Sequence, residues 1–360
     1  MDRLDFSDKK YLEVLKAQEE KYGNGDRCEL TPEDAFLLLI KELPREDLDN
    51  LCAQVQLCFR KKDISIDLTI EECYQLLQGK DVGPIKVDQR LKKDILEQAY
   101  KVADSGKYMG NKTIADGKIN TSSWISHSLY VARFAEVTAC ELRDKQNLDI
   151  NPEGIKAAAI LHDYGRKQDH TLGHVTKGAE SLIDQGYPNA AIATVTHSFF
   201  GGKRCASNEP ASPGFYMDEK GQECWEEGAP KDNIREYLEN HKVTIGDLIL
   251  NLGDLVATDR GVVKLSERLK DIATRRKIDP TNREYFLLQV INGMTYTLAQ
   301  VKAEPSEEII NKMPKVGDGV KKAEEVIDRL STNLYEYYEK AWQEQQNEKT
   351  ERINSNDENI

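Results

Sequence analysis

The segment that most constrains this chain is Ala157-Ala-Ala-Ile-Leu-His162-Asp163-Tyr-Gly-Arg-Lys167. Its five apolar positions read as a buried helix, and they run straight into an imidazole and a carboxylate before Gly165 breaks the pattern. A carboxylate taken out of water is very costly unless it is paired. The fold must therefore bring partners to this helix end. Consecutive helix positions point about 100° apart, so His162 and Asp163 share a target only if it lies off the end of the helix. A metal ion is such a target, because it accepts nitrogen and oxygen ligands from several directions.

The remaining histidines fall where such partners are needed. Ser122-Ser-Trp-Ile-Ser126 precedes an amphipathic helix with His127 near its start, and Asn151-Pro152-Glu153 caps and opens the helix that carries His162. His170 and His174 share a short polar connection. Lys177-Gly-Ala-Glu-Ser-Leu-Ile183 resumes helical spacing, and Pro188 opens a helix that ends on Thr196-His197. A helix over Ile245 to Asp259 surrounds Asp254 with aliphatic residues. His127, His162, Asp163, His174, His197 and Asp254 form the candidate set. It uses all of the six histidines except His170 and His241, the latter assigned to a loop.

The flanks read as helical. Residues 1–95 carry boundary signals at Ser7-Asp8, at Thr31-Pro32-Glu33-Asp34 and at the capping box Thr69-Ile-Glu-Glu72, with Gly79 closing the last of these helices. This region is expected to be a helical packing or interaction subdomain. A helix over Asp88 to Ala103 follows. The loop Gly106 to Lys112 is basic and glycine-bearing but lacks phosphate-loop spacing. Residues 201–241 break the helical rhythm, with a hairpin expected over Gly214 to Trp225 and a short helix at Ile234 to Leu238. Both ends of this insertion are tied to candidate ligands, and it carries Lys203, Arg204 and Trp225, so it is expected to act as a lid. Residues 271–345 are helical again. A stripe of Ala323, Ile327, Leu330, Leu334, Tyr338 and Ala341 is expected to pack on the core or to pair with a second copy in a homodimer. Residues 346–360 are polar and expected to be disordered.

Composition excludes some classes. The 360 residues include 63 acidic and 50 basic ones, for a formal net charge of -13. That balance opposes dedicated nucleic-acid binding but not a small anion held in a local basic pocket. No apolar run is long enough to cross a membrane. The seven cysteines are scattered without a CxxC pair, which suits free thiols in a reducing cytoplasm.

Taken together, "HSLYVARFAEVTA", "AAAILHDYGRK", "HVTKGAESL", "AIATVTHS" and "ILNLGDLVATDR" resemble, in order and local context, the H…HD…H…H…D elements of the HD-domain metal-dependent phosphohydrolase superfamily. The resemblance covers about 122–265. It implies an all-α fold: an HD-domain helical bundle over 96–270 with the insertion at 201–241 and additional N- and C-terminal helices. It also implies the dinuclear subgroup. His127, His162, Asp163 and Asp254 would hold one metal, and Asp163 would bridge to a second held by His174 and His197. The Gly-Ala context favours His174 over His170. Thr196-His197-Ser198 stands where the cyclic-di-GMP branch has paired histidines. Tyr164-Gly165 stands where (p)ppGpp hydrolases have Glu-Asp.

Mixed imidazole and carboxylate ligation suits two divalent transition-metal ions, Fe or Mn ahead of Zn, Co or Ni. Such ions lower the pKa of a water and clamp a phosphate through attack and departure. The implied activity is phosphohydrolysis of a phosphate ester or anhydride, on a nucleotide or another small phosphorylated molecule. Asp163, Lys167 and Arg260 are the candidate catalytic residues, and Arg133, Lys177, Lys203 and Arg204 the candidate phosphate-facing cations. Tyr164, Phe199 and Phe200 are candidates for stacking on a base. Two other classes share these ligands: mixed-valent diiron oxygenases, and metal- or nucleotide-sensing modules without turnover.

Overall fold

The computed structural model describes residues 4–22, 28–43, 45–60, 68–104, 123–171, 173–200, 204–205, 215–217, 223–225, 233–276, 280–300, 302–315 and 317–357. The chain starts with five helices: α1 (Lys9–Tyr22), α2 (Pro32–Ile40), α3 (Arg45–Arg60), α4 (Ile70–Leu77) and α5 (Gln89–Asp104). Their boundaries follow the capping signals. Thr31 accepts from the Asp34 amide at 3.1 Å ahead of Pro32. Thr69 and Glu72 close a reciprocal capping box at the start of α4.

The central set is α6 (Ser123–Gln146), α7 (Pro152–Leu161), α8 (His174–Asp184), α9 (Pro188–Thr196), α10 (Asn233–Asn240) and α11 (Ile245–Val256). Helix α7 stops where expected, and the chain tightens at once into a 3₁₀ turn over Tyr164–Lys167. The turn is closed by the Arg166 amide donating to the Asp163 carbonyl at 2.8 Å. Helix α11 ends at Val256, three residues short of the expected Asp259, because Ala257 is extended and bridges to Val262.

Between α9 and α10 lie two short antiparallel pairs. One joins β1 (Phe199–Phe200) to β2 (Arg204–Cys205), and the other joins β3 (Phe215–Met217) to β4 (Glu223–Trp225) with Phe215 opposite Trp225. The second is the hairpin read from sequence. Among the described residues the fold is otherwise all-α.

The last third comprises α12 (Leu265–Arg276), α13 (Pro280–Gln300), α14 (Glu307–Asn311) and α15 (Val320–Asp357). The stripe from Ala323 to Ala341 is buried inside this chain against α13, α12 and α6. The polar stretch expected to be disordered from 346 onward instead continues α15 to Asp357. Extending a packed helix adds a hydrogen bond per residue without a new nucleation cost, so polarity alone does not end it.

Two apolar cores result. The first runs from Phe6 through α2, α6, α7, α8 and α9 to Ala257, so α1–α5 share a core with the central helices. The second joins α12, α13 and α15 to Phe134 and Val137 of α6 and to Leu252, Leu255 and Val256 of α11. Helices α6 and α11 therefore lie between the cores and are buried from both sides. Burying a leucine-sized side chain is worth about 2 kcal/mol, so this two-sided packing holds firmly the helices that bear His127 and Asp254. No described helix is long and apolar enough to cross a membrane.

His241, assigned to a loop by sequence, is buried between α1 and α11. Its Nδ1 meets Glu19 and its Nε2 lies 3.0 Å from Asp247, while the Tyr237 hydroxyl donates to the same Glu19. Asp247 also closes the capping box that begins α11 at Thr244. Burial opposes a charged imidazole, but its hydrogen bonds to Asp247 and Glu19 outweigh that and raise the His241 pKa to about 10. A raised folded-state pKa adds stability that is complete below the unfolded value of about 6.5 and is lost as pH climbs through the folded one. His241→Gln should accordingly lower the thermal midpoint by several degrees at pH 6, with the gap to wild type narrowing steadily between pH 7 and pH 10. A gap that does not change with pH would show that the imidazole contributes shape rather than charge.

Candidate metal centre

The end of α7 places His162 as its C-cap and Asp163 in a bridge-type conformation, φ -96° and ψ 14°, just before the 3₁₀ turn. That change of direction separates the two side chains. Glycines then let the neighbouring segments come close. A Cβ on Gly165 would collide with the His174 carbonyl oxygen and the Gly178 amide, and one on Gly178 would lie 2.8 Å from the Gly165 nitrogen. The turn bearing Asp163 can reach the start of α8, and His174, only with glycine at these positions. On the other side, a Cβ at Gly253 would press on Val131 at 3.1 Å and Phe134 at 3.2 Å. There α11 and α6 approach closely enough to bring Asp254 to His127.

Two groups of donors converge on Asp163. In one, His174 Nε2 is 3.1 Å and His197 Nε2 3.5 Å from Asp163 Oδ1. In the other, His162 Nε2 is 3.7 Å and His127 Nε2 4.0 Å from Asp163 Oδ2, with Asp254 Oδ1 at 2.8 Å from His127 Nε2 and 3.6 Å from His162 Nε2. The potential ligand atoms of His127, His162 and Asp163 lie within 4.8 Å of one another, as do those of Asp163, His174 and His197. All six sequence candidates thus come together, from α6, α7, α8, α9 and α11. His170 does not join them: it is exposed, and its carbonyl accepts from Arg166.

Three backbone carbonyls set the tautomers. Nδ1 of His162 donates to the Ala159 carbonyl at 2.7 Å, that of His174 to Thr171 at 2.5 Å and that of His197 to Ala193 at 3.2 Å. A carbonyl only accepts, so each Nδ1 carries the proton and each Nε2 presents a lone pair to the centre. His174 Nε2 and His197 Nε2 then face each other across 3.1 Å, with Asp163 Oδ1 beside them. Ser198 Oγ, 2.9 Å from His197 Nε2, has the geometry to donate to one of these acceptors. His162 Nε2 and Asp163 Oδ1 have no hydrogen-bond partner. Converging acceptors this deeply buried could hold a cation among them, and a transition-metal ion fits this donor set.

Charge in the pocket follows the same logic. Burial works to neutralise Asp163 and Asp254. For Asp163 the Arg166 charge and His162 overcome burial, and for Asp254 the hydrogen bond with His127 and the nearby His162 do so; both carboxyls are held well below the usual range. Burial pushes His197 down to about 4 and also lowers His127. His162 is raised, since burial is outweighed by Asp163 and Asp254. The carboxylates are ionised and His127 and His197 neutral near pH 7, the protonation states that metal ligation needs.

The expected cations mostly lie elsewhere. Lys167 Nζ bonds Glu42 of α2 at 3.0 Å and sits 4.1 Å over the Tyr164 ring. Arg133 stacks between Tyr130 and Trp342 where α6 meets α15. Lys177 is exposed near Glu180 at 3.9 Å, and Arg260 is exposed on the turn after α11. Lys203 lies outside the described residues, and Arg204 is described by its backbone alone, as are Phe199 and Phe200. Tyr164 is buried core beneath the turn.

The cation actually at the centre is Arg166, whose Nε donates to Asp163 Oδ2 at 2.6 Å. Sequence reading passed it over for Lys167. Spacings of three and four residues both return to one helix face, so only the tightened turn distinguishes them. Asn251 was also missed: one turn before Asp254, its Nδ2 donates to the Thr196 and His197 carbonyls, each at 3.0 Å, and ties α11 to the end of α9.

Residues 124–255 match the family model for the HD domain. No curated protein and no solved structure matches the chain.

Gly165→Ala should drive the turn away from α8 and reduce metal affinity by at least about tenfold while the helical circular dichroism spectrum persists. Metal titration at wild-type affinity would contradict the close-approach argument.

Proposed function

We propose that this chain, an HD-domain protein by its residues 124–255, is a phosphohydrolase acting on phosphate ester or anhydride bonds of a small phosphorylated molecule, with nucleotides as the first class to examine. An HD domain with buried His and Asp groups points to metal-dependent, hydrolase-type activity. The observation that carries the finer reading is the convergence of His174, His197 and His162 Nε2 lone pairs on an ionised Asp163. His127, His162, Asp163 and Asp254 would hold one ion, and Asp163, His174 and His197 a second. Bound there, divalent ions supply a lowered water pKa and Lewis-acid stabilisation of a phosphoryl oxygen.

The protein's own contributions are orientation and charge. The three carbonyl-anchored imidazoles cannot rotate without breaking their Nδ1 hydrogen bonds. Arg166, partly exposed beside Asp163, is the cation placed to meet a phosphoryl group with its planar fork. The net charge of -13 opposes a long polyanion and leaves a small anion met by Arg166 as the better fit. The free thiols among the described residues, Cys28, Cys52, Cys73 and Cys140, support a reducing compartment.

Anaerobically purified protein should contain transition metal and hydrolyse members of a panel of phosphomonoesters, phosphodiesters and nucleotides with Mn²⁺ or Fe²⁺. His162→Ala and Asp163→Ala should each reduce turnover to background with helicity retained. Turnover that requires O₂ and releases no phosphate or nucleoside product would replace hydrolysis with an oxygenase reaction.

A further inference from the structure

The two oxygens of Asp163 face different company. Oδ1 meets His174 and His197, whose Nε2 atoms are lone pairs. Oδ2 faces His162 and His127, and there Arg166 Nε already donates to it at 2.6 Å. The guanidinium is held from its other side by Nη1 donating to the His170 carbonyl at 3.3 Å. It keeps its charge at every pH the protein survives. A fixed positive charge therefore stands against the Asp163 oxygen that the His127–His162 group offers to an ion.

Exposure divides the centre along the same line. The side chains of His162, Asp163, His174 and His197 are 0%, 2%, 3% and 1% exposed. Those of His127, Arg166 and Asp254 are 10%, 21% and 27% exposed. Among the described residues, the group containing Asp254 is the outer one and the His174–His197 group the inner one.

Resting on the metal-centre reading above, we propose that Arg166 is a displaceable cation that makes the two positions unequal. The inner position, at Asp163 Oδ1, His174 and His197, binds an ion without competition. The outer position, at His127, His162, Asp163 Oδ2 and Asp254, binds one only against the guanidinium. Once released from Asp163, Arg166 stands at the open side with its donors available to a phosphoryl oxygen. Outer-ion binding and phosphate binding then favour the same movement, and by linkage each strengthens the other. The centre is thus regulated by its own arginine: the outer ion is held weakly until a phosphorylated ligand takes up that arginine.

Stepwise Mn²⁺ titration of the full chain by calorimetry, with bound metal counted by mass spectrometry, tests this. Wild type should show one tight and one weaker equivalent, and Asp254→Asn should remove the weaker. Arg166→Gln keeps an N–H donor for Asp163 but loses the charge, so it should tighten the weaker equivalent by about tenfold and leave the tight one unchanged. The retained tight equivalent also shows that the variant is folded. Arg166→Lys should stay near wild type. Inorganic phosphate should tighten the weaker equivalent in wild type and have no such effect in Arg166→Gln. Unchanged or weakened outer binding in Arg166→Gln would overturn the proposal and make Arg166 a support for Asp163. Wild-type protein that takes up no metal would overturn the metal-centre reading and this inference together.

Discussion

Everything at the centre of this protein depends on one buried carboxylate shared by two sets of partners. Asp163 is ionised with almost no contact with water, a state that the surrounding structure must stabilise continuously. Arg166 neutralises it from one side, and four imidazoles close around it. The helices are arranged so that this can happen. Gly165 and Gly178 bring α8 against the turn that bears Asp163, and Gly253 brings α11 against α6. Asn251 then ties α11 to the end of α9.

The flanking helices make that arrangement rigid. Helices α1–α5 join the core of α6–α9, and the C-terminal helices cover the opposite faces of α6 and α11. Glu19, His241 and Asp247 add a buried ionic tie between the first helix and the beginning of α11. Asp254 sits two turns further along that helix. The additional helices thus hold the candidate ligand side chains in place, whatever else they do.

The fold and the ligand set were unusually legible because both are written locally. Thr31, Thr69 and Asn151 mark helix starts by hydrogen bonds made within four residues. His127, His162-Asp163, His174, His197 and Asp254 each sit at a helix end or on an apolar face, and their recurrence as a set, more than any one of them, marks a site. The second-row partners were less legible. Arg166 and Lys167 are adjacent cations three and four residues past Asp163, yet the first bonds the carboxylate and the second Glu42. His241 lies in the connection between α10 and α11 as the sequence suggests, but its burial was not legible because its partners Glu19 and Asp247 belong to separate elements, and Glu19 lies 222 positions away.

The sequence by itself determined the helices, their caps, the all-α class and the five side chains that gather at Asp163. The helices and caps rest on periodicity and on hydrogen bonds between near neighbours, and the ligand set on the order and local context of the His and Asp motifs and on the resemblance they carry. Tertiary structure alone decided which oxygen of Asp163 faces which imidazoles, which cation occupies Oδ2 and that Asp254 lies on the open side. It also decided that the polar end of α15 remains helical. These depend on the direction taken by a single 3₁₀ turn and on contacts between elements far apart in the chain, and no local pattern encodes the angle at which two buried helices cross.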